Sequence, residues 1–203
     1  LNKKRILETT DYIVNLCGKN LADKRWDKKT KQVLIDSRVH PTNIIAQAIT
    51  QSQGNKPTLI NASGIGIYGL QPDCDGLVYT ESNLTSGQSS SFLVQLAQQW
   101  EAATHTAATS GSRVVIVRFA VVIGPGGVVK KLLPSYKVGL GGKIGNGRQP
   151  FAWIGLYDLL RIFDFILEHQ QIEGPINCVA TPVPSQTEFA TTLAAAVGRP
   201  HFI

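Results

Sequence analysis

Ile60-Asn61-Ala62-Ser63-Gly64-Ile65-Gly66-Ile67-Tyr68-Gly69 is the stretch on which the reading of the fold turns. It follows a polar turn, Gln53-Gly54-Asn55-Lys56, and the short apolar run Thr58-Leu59-Ile60. That order is the pattern of a buried strand reaching its carboxyl end. Small residues there let the backbone pass close to a ligand, while Ser63 and Tyr68 offer a hydroxyl and a phenol. In open α/β sheets the ligand crevice lies outside the carboxyl ends of the strands, so Ser63 is a candidate for contacting a substrate oxygen. Taken alone, the ten residues read as a glycine- and serine-rich turn without chemistry. The rest of the chain changes that reading.

Upstream, residues 11–18 make an apolar strand closed by Gly18, and a polar segment from Lys19 to Lys31 holds Asp23-Lys24-Arg25-Trp26. A tryptophan between charges is more often a packing lid than a ligand platform, but loops at a strand's carboxyl end are where substrate contacts gather. Helical spacing follows through Val33, Leu34, Ser37 and Arg38. Pro41 disfavours helical geometry at His40, which predicts a break there and a second helix with Pro41 near its start and an apolar face of Ile44, Ile45, Ala48 and Ile49.

Downstream, residues 70–91 read as a polar surface excursion. From Phe92, the residues Leu93, Leu96, Ala97, Trp100, Ala103, Thr104 and Ala107 recur at helical spacing, with Gly111 placed as a terminating residue. The β-branched run from Arg113 to Ile123 predicts one long buried strand, in which Arg118 needs a partner or an exit to solvent. The glycines at 124–127, 139–142 and 145–147 predict loops around an extended segment, and they lack the Lys-Ser/Thr ending of a phosphate loop. A helix from about Leu156 to His169, a strand from Pro175 to Val179 and a last helix from Ser185 to Val197 close the chain. Ser185 and Glu188 have the spacing of a capping box. Strands alternating with helices predict an α/β fold with a parallel, doubly wound sheet.

The bulk properties exclude several classes. At 203 residues, with 43% hydrophobic and 17% charged, the chain matches an ordinary globular domain. No apolar run reaches membrane-spanning length and no signal-peptide core follows the amino terminus, so a cytoplasmic protein without a membrane partner is expected. Cys17, Cys74 and Cys178 are odd in number and widely spaced, which points to free thiols; neither they nor the histidines have metal-ligand spacing. The net charge of +6 is concentrated in Lys3–Arg5 and Lys19–Lys31 and suits an anionic small ligand, while no zinc, RNP-like or basic heptad pattern supports nucleic acid. The chain contains no methionine and opens inside a charged segment, so a piece of a longer gene product is expected.

A set of segments resembles the atypical, epimerase-like branch of the extended short-chain dehydrogenase/reductase superfamily, whose members are labelled nucleoside-diphosphate-sugar epimerases or cell-division inhibitors. They are Asn15-Leu-Cys-Gly18, Asp23-Lys-Arg-Trp26, Asp36-Ser-Arg-Val39, Ala62-Ser63 to Tyr68-Gly69, Trp100-Glu101, Arg118 to Gly124, Gly139-Leu-Gly-Gly142 with Gly147, Trp153-Ile154, Asp158-Leu159 and Gly198-Arg-Pro200. Each is weak alone; the ordered set is specific. The resemblance implies a Rossmann-like sheet over residues 1–124 and a small substrate-side lobe over 125–203, interleaved with it. It also implies that roughly fifty family residues carrying the first strand and a glycine-rich βαβ unit lie upstream of this chain, and that a piece follows Arg199-Pro200.

By the same resemblance the cofactor is NADP rather than NAD. Leu16, Cys17 and Gly18 would line its adenosine side, Arg38 would be a further cofactor-binding residue, and Ala62, Phe119 and Val121 would border the nicotinamide. Ser63 would be catalytic, with Tyr68 as a substitute phenol for the one the family places elsewhere, and Lys24, Arg25 and Trp26 would meet a small, anionic substrate. The departures matter as much. The superfamily's Tyr-x-x-x-Lys pair falls on Leu93 and Ala97, and Gly155 stands where relatives often carry histidine. The missing phenol and ammonium are the groups that shuttle a proton and hold the ribose. Three readings therefore stand: an NADP-dependent oxidoreductase or nucleotide-sugar-epimerase-like enzyme, a dinucleotide-binding sensor or scaffold without catalysis, and a cell-division partner, which rests on the family's labels alone.

Overall fold

The computed structural model describes residue 7 and residues 9–71, 73, 74, 76, 78–82 and 91–199. Two compact units emerge. The first comprises Leu1–Gly69, Glu81–Arg118 and Gln170–Asn177, and the second comprises Leu70–Thr80, Phe119–His169 and Cys178–Ile203. Half of the 70–91 excursion, including residues 83–90, lies outside the described residues.

In the first unit, strand β1 (Tyr12–Asn15) runs parallel to β2 (Thr58–Gly64), with Asn15 opposite Asn61. β3 (Val114–Phe119) and β6 (Gly174–Cys178) extend the sheet in the order β1-β2-β3-β6. The long helix α1 (Lys28–Thr50) joins β1 to β2, and α2 (Phe92–Ala102) and α3 (His105–Thr109) join β2 to β3. The core packs Ala46 and Ile49 of α1 and Ala107 of α3 against Leu59 and Val114. The expected α/β architecture with a parallel, Rossmann-like sheet is present.

The break expected at Pro41 does not occur, because α1 continues through it. Its buried residues Leu34, Arg38, Thr42, Ala46 and Ile49 form one seam at three- and four-residue spacing on both sides of the proline. A helix-interior proline costs ~3 kcal/mol through a lost hydrogen bond and a ring clash. Burial of that seam outweighs the cost, and Thr42 clamps the turn by donating its hydroxyl to the Arg38 carbonyl at 2.7 Å. The single helix expected from Phe92 is in fact two. The chain breaks at Ala103-Thr104, where the Thr104 hydroxyl bonds the Glu101 carbonyl at 2.7 Å. Gly111 follows the end of α3 with φ +87°, the left-handed geometry of a terminating glycine.

In the second unit, β4 (Val121–Ile123) pairs in parallel with β5 (Trp153–Gly155). The run expected as one strand to Ile123 is thus divided at Ala120, whose N–H is taken by the Cys178 carbonyl at 3.2 Å. The glycine-rich region holds a helix rather than an extended segment. This helix, α4 (Gly127–Lys137), turns Tyr136 onto Ala190 and Ala194 of α6 (Gln186–Ala196). The glycines at its ends masked a helical apolar face that only α6 completes. α5 (Leu156–Glu168) follows β5, and α6 begins with the expected capping box of Ser185 and Glu188. Among the described residues no helix is long and apolar enough to cross a membrane, and no cluster of potential ligands could hold a metal.

Candidate functional site

β2 delivers Ser63 to the carboxyl end of its strand, and what surrounds that hydroxyl is a chain of fixed donors and acceptors. Ser63 is 3% exposed and donates to Glu101 Oε1 at 2.7 Å. Arg118 grips the same carboxylate with two bonds of 2.9 Å, Nε to Oε1 and Nη2 to Oε2. Its third donor, Nη1, reaches the Tyr68 hydroxyl at 2.9 Å, and that hydroxyl donates to Asn177 Oδ1 at 2.8 Å. The Arg118 side chain is 1% exposed and that of Glu101 12%. Burial works against the arginine's charge, but the hydrogen bond and charge of Glu101, with Tyr68, outweigh it and raise its pKa above the ordinary value. Arg118, the charge that needed a partner, has found one on α2.

A second polar cluster ties the carboxyl ends of β1 and β2 to α1. Asn15 Nδ2 donates to Thr42 Oγ1 at 2.8 Å and to Asn61 Oδ1 at 2.6 Å, and Trp100 Nε1 donates to Thr42 Oγ1 at 3.2 Å. Asn15 Oδ1 accepts the Cys17 N–H at 3.2 Å, which shapes the loop where Leu16, Cys17 and Gly18 lie exposed. Asn15 and Thr42 are the residues that sequence reasoning missed as supports of this loop. A buried asparagine closing a strand was the one available signal.

Arg38 stands beneath that loop, 7% exposed. Its Nη2 donates to the Lys19 carbonyl at 2.9 Å and its Nη1 to the Leu34 carbonyl at 3.1 Å, and its Cζ lies 5.1 Å from the Trp100 ring centroid. No carboxylate pairs with it among the described residues. Burial lowers its pKa from the ordinary value, but a guanidinium keeps its charge. A Cβ on Gly18 would lie 3.0 Å from Arg38 Cζ, so the backbone at Gly18 rests close against the cation. Arg38 is thus a buried charge with no acid among the described residues, beside a glycine backbone that rests against it.

The other expected residues fall as follows. Ala62 is buried in β2 next to Ser63. Phe119 and Val121 belong to the second unit, where Phe119 is half-buried, its ring centroid 6.2 Å from that of Phe163, and Val121 is exposed in β4. Lys24 and Arg25 are exposed. Trp26 donates its indole N–H to the Leu21 carbonyl at 2.8 Å and sets its ring edge against Phe92, as a packing lid does. Leu93 is half-buried and Ala97 buried, so α2 offers apolar packing where the superfamily has its phenol and ammonium. A cavity of about 590 Å³ in the first unit, lined by Glu101, Thr104, His105, Ser112 and Glu173 among others, contains none of these expected residues.

A parallel sheet with a serine hydroxyl at the carboxyl end of β2 and a buried arginine beside the end of β1 defines a Rossmann-like α/β protein. The chain belongs to the NAD dependent epimerase/dehydratase family, whose sequence model matches residues 2–178. It is 40% identical over 195 residues to the Epimerase family protein Mb2239 of Mycobacterium bovis, spanning 96% of this chain and 62% of that one. It is 36% identical over 194 residues to the Epimerase family protein YfhF of Bacillus subtilis, spanning 95% and 62%. The crystal structure of human epimerase family protein SDR39U1 (isoform 2) with NADPH superposes with a TM-score of 0.85 at 33% identity, over 99% of this chain and 68% of that one. The chain thus spans about three-fifths of the length of the curated relatives it matches.

Proposed function

We propose that the chain is part of an NADP-dependent oxidoreductase of epimerase-like type acting on a small molecule. The observation that carries this reading is Arg38, a buried guanidinium without an acid among the described residues, lying against Gly18 just beyond the end of β1. Leu16, Cys17 and Gly18 would hold the adenosine side of the cofactor, Arg38 would meet one of its phosphates, and Ala62 would serve the nicotinamide side. The NADPH bound by the human relative favours NADP over NAD. When bound, the cofactor supplies hydride transfer; the protein supplies orientation and electrostatics. Ser63 would orient the reacting oxygen, with its rotor fixed by Glu101. Lys24 and Arg25, exposed beside Trp26, would attract an anionic substrate.

A second reading rests on Leu93 and Ala97: without a phenol and an ammonium on α2, the protein would bind the dinucleotide as a sensor and not turn it over. The test uses the complete gene product that carries residues 1–203. Arg38→Met should weaken NADPH binding, read by calorimetric titration, by roughly 10- to 100-fold, the worth of a hydrogen bond to a charged group. It should leave the urea midpoint unchanged or higher, because an uncompensated buried charge is removed. Equal NADPH affinity in both proteins would refute the reading. Binding without oxidation or reduction of any alcohol or carbonyl in a broad panel would favour the sensor.

A further inference from the structure

The hydrogen bonds around Ser63 determine which way its proton points. An arginine only donates, and an ionised carboxylate only accepts. Glu101, held by two bonds from Arg118, is therefore an acceptor toward Ser63, and at 2.7 Å the Ser63 hydroxyl has one partner to which it can give its proton. A serine has one donor and two lone pairs. With the donor spent on Glu101, only lone pairs remain for anything that reaches the carboxyl end of β2.

We infer that Glu101 is a positioning residue that makes Ser63 a hydrogen-bond acceptor, so that the site selects ligands presenting a hydroxyl over those presenting a carbonyl. This rests on the functional reading above in taking Ser63 as the group that meets the ligand. A ketone oxygen has no proton to offer, and it would face the Ser63 oxygen lone pair to lone pair. To donate to a ketone, Ser63 would have to leave Glu101, and the carboxylate would lose a short charge-assisted bond inside a nearly closed environment. An alcohol takes the free lone pair and leaves the Ser63–Glu101–Arg118 arrangement intact. Ligands of the favoured class are secondary alcohols, sugar hydroxyls included. The Tyr68 hydroxyl does not substitute as the missing donor, since its proton is engaged by Asn177 Oδ1.

The test compares cyclohexanol with cyclohexanone as matched probes, their binding to the cofactor-loaded gene product read by saturation-transfer NMR titration. The wild type should favour the alcohol by roughly 10-fold, the discrimination of about one hydrogen bond. Ser63→Ala should reduce the preference to less than about 2-fold by removing the acceptor, and Ser63→Thr, which keeps a hydroxyl, should restore it. Glu101→Gln offers Ser63 an amide N–H and frees the serine proton, so the preference should fall or reverse. Should that variant fail to fold, the two Ser63 variants decide. A wild type that prefers the ketone, an alcohol preference that survives Ser63→Ala, or no saturation transfer to either probe overturns the inference. None of these readouts requires turnover. A protein that binds NADPH but shows no preference refutes this inference alone, whereas one that binds no NADPH refutes the functional reading.

Discussion

Removing the Glu101 carboxylate should damage the protein far more than removing the serine that it holds. In Glu101→Ala, the Arg118 guanidinium, 1% exposed, keeps its charge and loses two bonds of 2.9 Å in one step. Its remaining partner is the Tyr68 hydroxyl, which is neutral. Breaking a buried ion pair from one side costs about 3–5 kcal/mol, because the surviving charge is left without compensation. In a protein of this size each kcal/mol moves the melting temperature by about 2–4 °C, so a loss of roughly 6–20 °C is expected. Ser63→Ala is the control. Glu101 Oε1 retains Arg118 Nε, and the loss should stay near 1.5 kcal/mol, the lower end for a hydrogen bond to a charge. The double variant Glu101→Leu with Arg118→Met should regain most of the stability, since replacing both members by apolar groups of similar volume is often neutral. Urea unfolding by circular dichroism measures all three. A Glu101→Ala cost below about 1 kcal/mol, the level of a surface pair, would refute the view that this pair is desolvated.

Other consequences follow from particular residues. Pro41→Ala restores a helical N–H in the middle of α1 and should stabilise by roughly 1–3 kcal/mol in urea unfolding; a loss would mean that the seam needs the proline's geometry. Gly147→Ala should cost more than about 2 kcal/mol, since φ is +72° there and a Cβ would sit 2.0 Å from Thr187 Oγ1. A Thr187→Ala background should relieve only the steric part, leaving the backbone strain to be read as a residual loss. The Glu188 carboxyl is held below its ordinary value of 4.5, chiefly by the Ser185 backbone N–H and then by the Ser185 hydroxyl. A depressed folded value means that the cap's contribution is present above pH 4.5 and fades as pH falls through the lowered value. Glu188→Gln should remove that part of the acid sensitivity of helicity measured by far-ultraviolet circular dichroism.

What the sequence determined by itself was local and periodic. The capping box at Ser185 and Glu188 needs residues three apart, and Gly111 needs a position just past a helix, so both are legible without a partner. The β-branched strands and the buried Arg118 with its unmet charge were equally plain, as was the placement of Ser63 at a strand end. Tertiary structure decided whatever depends on a second surface. Pro41 argued for a break, and a seam buried from Leu34 to Ile49 outweighed it. The glycines around α4 argued for loops, and packing against Ala190 and Ala194 made a helix. Arg118 announced its need for a partner, but only the packed fold brought Glu101, 17 positions earlier in the chain, to 2.9 Å from it. Asn177 reaches Tyr68 across 109 positions, a separation no local pattern encodes. Short-range preferences are set by neighbours in sequence, whereas the direction of a proton at Ser63 is set by charges that meet only after the chain has closed.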